Sequence, residues 1–204
     1  MELLVNILFV SASGYLLGSI PTSFILGKIL KGVDLREFGS GNLGAANTFR
    51  VLGAKAAVPV LIIDIGKGFL AVKAVSLFGI DSSTFIALAA FFAVLGHNYS
   101  IFVRFSGGKG VGTTTGVFLA IAPFAVAICL VVWLLLLFFT RIVSLASMSA
   151  ALFLPISLIL MRLFFGYETS IVIIALSIIV ATAVIYKHRS NIRRLKLGTE
   201  KRIF

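Results

Sequence analysis

The chain has few charges and few metal-ligand side chains for its length. Only 12% of its 204 residues are Asp, Glu, Lys or Arg, and it contains one cysteine and two histidines. One cysteine cannot form an intrachain disulfide, and these three side chains are too few for a four-ligand structural zinc site. A disulfide framework and a closed zinc site are therefore excluded, and no metal or other cofactor is expected.

Several catalytic and nucleotide-binding signatures are missing as well. No GxSxG string is present, and neither His97 nor His188 begins an HxxxxD pair. Lys109 is followed by Gly110 rather than by Ser or Thr, so the string is not a P-loop. The aspartates are scattered, which argues against a metal-dependent CDP-alcohol phosphotransferase; they are Asp34, Asp64 and Asp81.

Apolar residues are abundant, at 60% of the chain. A soluble domain of this size cannot bury so much apolar surface, so the sequence predicts an all-α integral membrane protein. The net charge of +11 comes from few residues, and we take their placement as a sign of membrane topology. No nucleic-acid partner is expected.

Six apolar runs predict the membrane helices. They cover residues 3–30, 56–79, 83–105, 111–139, 143–163 and 170–186. The first run lacks a basic start and is interpreted as a retained helix, not a cleaved signal. The run 111–139 contains Pro123 and is interpreted as two short helices, because Lys109 and the basic tail should share the cytoplasmic side. We therefore expect about seven helices, some half-length, in one domain over residues 1–204, with the N-terminus outside and the C-terminus cytoplasmic.

The short external segments agree with this orientation. They carry three acidic residues and one basic residue, namely Glu2, Asp81, Glu168 and Arg162. The loop over residues 31–54 and the tail after residue 187 are basic and are expected to be cytoplasmic.

Two glycine-rich segments interrupt the apolar pattern, at residues 39–50 and 106–110. Glycines leave backbone N–H groups open to an anion, and a cation stands within or just after each group of glycines. If the segments face each other, phosphate is the expected ligand. The alternatives are a flexible connector for the first segment and a tight turn for the second.

Each group of polar residues inside the predicted helices has two alternative roles. Asp64 and Lys67 stand three apart on one helical face and are expected to pair. We favour a structural pair, because no neighbouring histidine or serine would make it a relay. The string GSIPTS at residues 18–23 serves either helix packing or the lining of a site, with a kink at Pro21. His97 is either a packing residue or part of the site.

The tail combines basic residues with two that suit another role. Its arginines and lysines are typical of a segment that binds anionic headgroups of membrane lipid. His188 and Asn191 share a helical face and are not explained by headgroup binding.

Five strings in this order resemble the bacterial acyl-phosphate:glycerol-3-phosphate acyltransferases. They are GSIPTS, SGNLGAANTFR, FSGGKGVGT, TRIVSLAS and HRSNIRRLKLGTE. The resemblance implies transfer of a fatty acyl group from acyl phosphate to the 1-hydroxyl of glycerol 3-phosphate. The products are lysophosphatidic acid and inorganic phosphate, at the first membrane step of phospholipid synthesis. It also implies a seven-helix fold in a bacterial inner membrane, with the active site on the cytoplasmic face. A monomer is compatible with the sequence, which leaves the oligomeric state open.

The resemblance and the residue chemistry together select the candidate site residues. The catalytic and phosphate-binding set is Ser40, Gly41, Asn42, Gly44, Arg50, Gly107, Gly108, Lys109, Gly110 and Ser144. The set expected to contact glycerol 3-phosphate is Arg50, Lys109, His188 and Asn191. Further candidates are Asn47, Arg141, His97 and Glu200. Which loop binds which phosphate stays open.

We expect direct transfer without an acyl-enzyme. No Ser–His–Asp arrangement is visible, and an oxygen of acyl phosphate can take the proton of the attacking hydroxyl. A base role for His188 and a covalent role for Ser40 stay open. A small transporter would also place glycines and cations in a bundle, but it would favour internal repeats around a midplane site, and none is visible.

Overall fold

The computed structural model describes residues 1–80 and 82–203. Over these residues the chain forms ten α-helices and a short 3₁₀ turn, and no strand. The helices are α1 Glu2–Ser19, α2 Thr22–Lys31, α3 Ala45–Leu52, α4 Ala54–Leu77, α5 Ser83–Asn98, α6 Val111–Ile121, α7 Pro123–Thr140, α8 Val143–Phe164, α9 Ile171–Lys187 and α10 Arg189–Lys196. The chain divides into two compact units, residues 1–121 and 122–204. The single domain expected over 1–204 stays a prediction.

The first unit packs its helices closely through small residues. Gly18 of α1 lies against the backbone of Ala93 in α5, and Gly116 of α6 lies against the backbone of Ile65 in α4. A Cβ atom at either glycine would overlap those backbone atoms. Small residues allow such close approach, which drives helix association where water supplies no hydrophobic force.

The first apolar run is broken at residues 20–21. Pro21 has no N–H group to continue the helical ladder, so α1 ends at Ser19 and α2 begins at Thr22. The predicted kink is confirmed, and it is a complete break. Gly32 then ends α2 with a φ of 66°, and its N–H group donates to carbonyls of the last turn.

The predicted break of the run 111–139 at Pro123 is confirmed, but the expectation that both helices are short was wrong for the second one, which is long enough to cross a membrane alone. Here α6 ends at Ile121 and α7 begins at Pro123, where the missing N–H group costs no helical hydrogen bond. The two helices are unequal, with 11 and 18 residues. At 1.5 Å per residue, α6 is about 16 Å long, roughly half of a bilayer core.

In the second unit, α8 packs against both α7 and α9. The next helix, α10, leaves α9 at an angle of 57°. Side-chain oxygens cap helices in both units: Ser82 accepts a hydrogen bond from the N–H group of Thr84 in α5, and Ser170 accepts one from Val172 in α9.

Four of the described segments are long and apolar enough to cross a membrane, and a fifth qualifies if α9 and α10 count as one bent span. The four are residues 2–31, 83–103, 123–140 and 143–164. The predicted spans lie on these helices and on α4, α6 and α9, whereas the count of seven and the orientation stay predictions. The interpretation of residues 31–54 as a plain loop was wrong, because α3 forms between Gly44 and Gly53. The predicted outer turn at Asp81 lies outside the described residues.

Candidate active site

The first glycine loop is held in shape by one buried amide. Asn47 in α3 is 1% exposed, and its Oδ1 accepts a hydrogen bond from the N–H group of Ser40 at 2.7 Å. Its Nδ2 donates to the carbonyls of Leu35 and Phe38 at 3.0 and 3.1 Å. These contacts use both amide hydrogens, so the loop geometry gives Asn47 a positioning role for the backbone beside Ser40.

Two glycines of this loop adopt conformations that other residues avoid. Gly39 has a φ of 65° and Gly41 a φ of 70°. A Cβ atom at Gly39 would overlap Oδ1 of Asn47, and one at Gly41 would lie 3.0 Å from the carbonyl oxygen of Arg36. The N–H groups of Ser40 and Gly41 donate to Oδ1 of Asn47 and the carbonyl of Phe38, so the expectation that this loop presents its N–H groups to an anion stays a prediction.

An ion pair fixes the start of the loop. The guanidinium of Arg36 binds both carboxylate oxygens of Asp34, at distances between 2.6 and 3.1 Å. It also donates to the carbonyl of Val103 at 3.2 Å, which ties the loop to the 3₁₀ turn Ile101–Val103. Hydrogen bonds from Arg36 hold the pKa of Asp34 below its usual range.

The second glycine loop lies on the end of α5. The N–H group of Gly108 donates to the carbonyl of His97 at 3.0 Å. A Cβ atom at Gly107 would overlap the backbone of His97 and Asn98, so this approach requires glycine. Gly110 has a φ of 85° and directly precedes α6.

The two glycine loops meet. A Cβ atom at Gly108 would overlap both Nε2 of His97 and the carbonyl oxygen of Leu43, which lies in the first loop. The condition on which a shared phosphate ligand was expected, that the two segments face each other, is therefore met at this contact. Asn42 and Gly44 flank Leu43 on the first-loop side.

The two candidate cations of this unit lie at the edges of the loops. Lys109 is half-buried and stands between Gly108 and Gly110, immediately before the N-terminus of α6. Arg50 is half-buried in the last turn of α3. Their predicted roles in phosphate binding stay predictions.

A buried polar cluster lies next to the second loop. Nζ of Lys67 is 2.9 Å from Oδ1 of Asp64, which confirms the predicted pair within α4. The same oxygen accepts a hydrogen bond from Oγ1 of Thr22 at 3.1 Å, and Nδ1 of His97 lies 3.7 Å from it. The sequence argument that no histidine neighbours this pair was wrong. Packing of α5 against α4 places His97 there.

Two side chains of the first unit satisfy carbonyls that the α1–α2 break leaves without helical partners. Nζ of Lys67 donates to the carbonyl of Ile20 at 2.8 Å, and Oγ of Ser100 donates to that of Ser19. An unpaired carbonyl is costly where water is excluded, so these bonds stabilise the break. The string GSIPTS thus has both predicted roles: Gly18 packs closely against α5, and Ile20 and Thr22 line the polar cluster.

A small recess opens between the break and the second loop. The centre of a water molecule can move within about 10 Å³ of this recess. That is room for about one water and too little for a phosphate ester. Its walls are largely hydroxyl, charged and glycine residues, and Oγ of Ser19 is fully buried there without a hydrogen-bond partner among the described residues. The lining residues are Ser19, Ile20, Pro21, Thr22, Ser23, Leu43, Asp64, Lys67, His97, Ser100, Val103, Gly107 and Gly108.

The second unit has its own polar cluster, centred on Glu200. The Glu200 carboxylate accepts hydrogen bonds from Oγ of Ser144 at 2.7 Å, Nδ2 of Asn191 at 2.6 Å and Nε of Arg194 at 2.6 Å. Burial raises the pKa of Glu200, but these hydrogen bonds outweigh burial and leave the pKa below its ordinary value. The cluster joins the tail to α8 and α10.

His188 and Arg141 lie at helix boundaries of this unit. Nδ1 of His188 is 2.8 Å from the carbonyl oxygen of Val184, and because a carbonyl only accepts, Nδ1 carries the proton. In the neutral ring Nε2 then has the lone pair, as a base or hydrogen-bond acceptor needs. Arg141 ends α7 with a φ of 59°, and its carbonyl accepts from the N–H group of Ile203 at 2.9 Å.

The structure therefore places the predicted residues in two groups. Those of both glycine loops, together with Asn47, Arg50 and His97, lie in the first unit, and Ser144, Arg141, His188, Asn191 and Glu200 lie in the second. Sequence reasoning missed Ser100, included Thr22 only as part of the string GSIPTS, and considered Asp64 and Lys67 only as an isolated pair. The signal that marked the region was the charge pair inside an apolar helix. Within residues 1–80 and 82–203, no three His, Cys, Asp or Glu side chains gather as a metal site requires.

Comparison with known proteins matches the whole chain to one family. The family model for glycerol-3-phosphate acyltransferase covers residues 8–198. A glycerol-3-phosphate acyltransferase of Fusobacterium nucleatum is 45% identical, and the match covers 92% of this chain and 93% of that protein. One of Chlorobium phaeobacteroides strain BS1 is 39% identical, with 97% of each chain covered.

Two crystal structures of PlsY (YgiH), an integral membrane glycerol 3-phosphate acyltransferase, have the same fold. The glycerol 3-phosphate form is 41% identical with a TM-score of 0.86, and the lysophosphatidic acid form is 40% identical with a TM-score of 0.84. Each match covers 96% of this chain and 94% of the other. This chain is an all-α integral membrane protein and belongs to the glycerol-3-phosphate acyltransferase family.

Proposed function

We propose that this enzyme transfers a fatty acyl group from acyl phosphate to the 1-hydroxyl of sn-glycerol 3-phosphate. The products are lysophosphatidic acid and inorganic phosphate, at the first membrane step of phospholipid biosynthesis. The observation that carries the proposal is the contact between the two glycine loops at Gly108 and Leu43. Similar proteins in glycerol 3-phosphate and lysophosphatidic acid forms support the acceptor and the product.

The second glycine loop is suited to bind the donor phosphate. It leads directly into α6, and the first N–H groups of a helix have no partners within that helix. Those groups attract anions, and the ammonium of Lys109 adds a full positive charge beside them. We assign this loop to the phosphate of acyl phosphate, with Arg50 and the first loop as the second anion-binding element.

The chemistry is direct acyl transfer. The 1-hydroxyl oxygen forms a bond to the carbonyl carbon of acyl phosphate, and the bond from that carbon to the phosphate oxygen breaks. The hydroxyl proton passes to a phosphate oxygen, so the leaving group departs as hydrogen phosphate. Lys109 and the loop N–H groups stabilise the charge that develops on the phosphate.

In the second unit we assign His188 and Asn191 to glycerol 3-phosphate, as the family resemblance implies. Glu200 accepts a hydrogen bond from Asn191 at 2.6 Å and thereby fixes the orientation of its amide. Ser144 shares that carboxylate. The active site is proposed to open on the cytoplasmic face of a bacterial inner membrane.

The donor is tested with purified protein in lipid. Radiolabelled glycerol 3-phosphate is supplied with palmitoyl phosphate or, in parallel, with palmitoyl-CoA, and lysophosphatidic acid is measured. We expect product from palmitoyl phosphate alone. Product from the CoA ester alone, or no product from either donor, would overturn the assignment of acyl phosphate as the donor.

The direct route is tested separately. The enzyme is incubated with radiolabelled palmitoyl phosphate without acceptor, denatured and analysed for protein-bound label. We expect none on wild type or on Ser40→Ala. Label that is present on wild type and absent from Ser40→Ala would establish a covalent intermediate at Ser40.

A further inference from the structure

His97 contacts the second glycine loop through both its backbone and its ring. Its carbonyl accepts the hydrogen bond from the N–H group of Gly108 at 3.0 Å. Nε2 of its imidazole stands where a Cβ atom of residue 108 would be, so ring and loop are in direct contact. His97 therefore fixes the position of the Gly108 backbone, and with it the position of the next residue, Lys109.

The other edge of the ring faces a fixed carboxylate. Nδ1 of His97 lies 3.7 Å from Oδ1 of Asp64, a close approach beyond hydrogen-bond distance. Oδ1 is held by Thr22 at 3.1 Å and by Lys67 at 2.9 Å. The side chains of His97 and Asp64 are 7% and 6% exposed, so this edge of the ring is packed away from solvent.

The contact also reaches the first loop. Gly108 also lies against the carbonyl oxygen of Leu43, and a single Cβ atom at Gly108 would overlap both this oxygen and the ring, so His97, Gly108 and the first loop meet at one point. A shift of the ring therefore moves the contact between the two loops. Interiors packed this closely transmit a displacement of a few tenths of an ångström to their neighbours.

We propose that His97 is a positioning residue for the donor phosphate. Nε2 supports Gly108, and Asp64 holds the ring so that the second glycine loop, Lys109 and the start of α6 keep their places. This inference rests on the proposed assignment of that loop to acyl phosphate. It gives His97 a role in catalysis through the loop, without contact with the reacting atoms.

The two amide replacements of histidine separate this role from simple packing. The amide nitrogen of glutamine reaches the place of Nε2, next to Gly108, whereas that of asparagine reaches only the place of Nδ1, next to Asp64. Positioning of the loop therefore predicts that His97→Gln retains function better than His97→Asn. A role limited to pairing with Asp64 predicts the reverse order.

The experiment measures kcat and both KM values for the two variants in lipid, together with thermal unfolding. We expect His97→Asn to raise the KM for palmitoyl phosphate about tenfold, with the KM for glycerol 3-phosphate within about twofold, because a displaced loop affects the donor first. His97→Gln should lie near wild type. Ser177→Ala in α9, which removes another buried polar side chain, is the control and should leave both KM values unchanged.

Gly108→Ala changes the loop side of the same contact, and it is the second variant to measure if His97→Asn does not fold. Its added Cβ should raise the donor KM in the same selective way. Equal effects of Asn and Gln, or equal increases in both KM values, would overturn the positioning role. Wild-type protein that does not use palmitoyl phosphate would instead overturn the proposed function.

Discussion

Lys109 and Arg50 are the cations of the two glycine loops, and a phosphate-binding role makes both indispensable. Lys109→Ala and Arg50→Ala should each lower turnover by about 100-fold or more, because each removes charge stabilisation at a phosphate. Expression should be retained, since both side chains are only half-buried. Initial rates with palmitoyl phosphate measure the effect.

Lys31→Ala is the matched control, because Lys31 is an exposed cation at the end of α2. It should keep near-normal rates. Near-normal turnover in either loop variant would refute the assignment of that residue.

At the residue scale, the sequence predicts local relations and misses distant ones. Asp64 and Lys67 stand three apart in a helix, so their pairing follows from helix geometry alone. Thr22 and His97 reach the same carboxylate from 42 and 33 residues away. Those contacts depend on how α2 and α5 pack against α4, which no pattern in a single sequence reports.

Among the elements, the α1–α2 break depends on one lysine of α4. Lys67 neutralises Asp64 and donates to the carbonyl of Ile20, so Lys67→Met leaves the buried carboxylate of Asp64 without its cation and removes a hydrogen bond of the Ile20 carbonyl, which keeps the one from the N–H group of Thr22. Removing one partner of a buried pair costs about 3–5 kcal/mol, and thermal unfolding in detergent should show a large fall in Tm.

The double variant Asp64→Leu, Lys67→Met should be less destabilised than Lys67→Met, because it buries no uncompensated charge. The control is Lys73→Met, which changes an exposed lysine of the same helix. A double variant as unstable as the sum of its single changes would show that the two side chains act independently.

The tail after α10 is held by a carboxylate whose pKa is lowered. The Glu200 side chain is 3% exposed and binds Ser144, Asn191 and Arg194. A lowered folded-state pKa means that its contribution is fully present above the ordinary value of 4.5 and is lost as pH falls through the folded pKa. Acid should therefore release the tail.

Hydrogen exchange of residues 197–203 as a function of pH measures this release. The protection factor, which is the intrinsic exchange rate at each pH divided by the observed rate, should fall on acidification in wild type, whereas Glu200→Gln should have a lower protection factor at neutral pH with little further change in acid. An identical pH profile in the two proteins would contradict the role of Glu200.

Element boundaries were predictable where proline or a long apolar run defines them. Pro21 and Pro123 marked both breaks, and α8 and α9 begin and end within one residue of the predicted spans. The short helix α3 was missed, because eight residues between glycines carry too weak a periodicity. Its position depends on tertiary contacts, such as the bonds of Asn47 to the preceding loop.

For the whole molecule, apolar content predicts membrane insertion more readily than it predicts the number of crossings. With 24 residues α4 is long enough to span a membrane, but its charged residues keep it out of the segments that hydropathy alone identifies as spans. The helix α6 is too short to cross alone. The polar face of α4 is explained by the buried pair, whose charges compensate each other. The prediction of seven spans rests on charge parity and not on hydropathy alone.

The side of the membrane on which each end of the chain lies can be tested directly. The predicted seven crossings are an odd number, so we expect the ends of the chain on opposite sides, with Glu2 outside and Lys201 in the cytoplasm. In a Cys129→Ser background, Glu2→Cys should react with a membrane-impermeant maleimide in right-side-out vesicles, and Lys201→Cys should react only after permeabilisation. Cys129 is the one native cysteine and is buried in α7, so its replacement removes background labelling. Labelling of both positions from one side would require an even number of spans. It would then contradict the interpretation that α6 and α7 together enter the membrane and return to the cytoplasmic side.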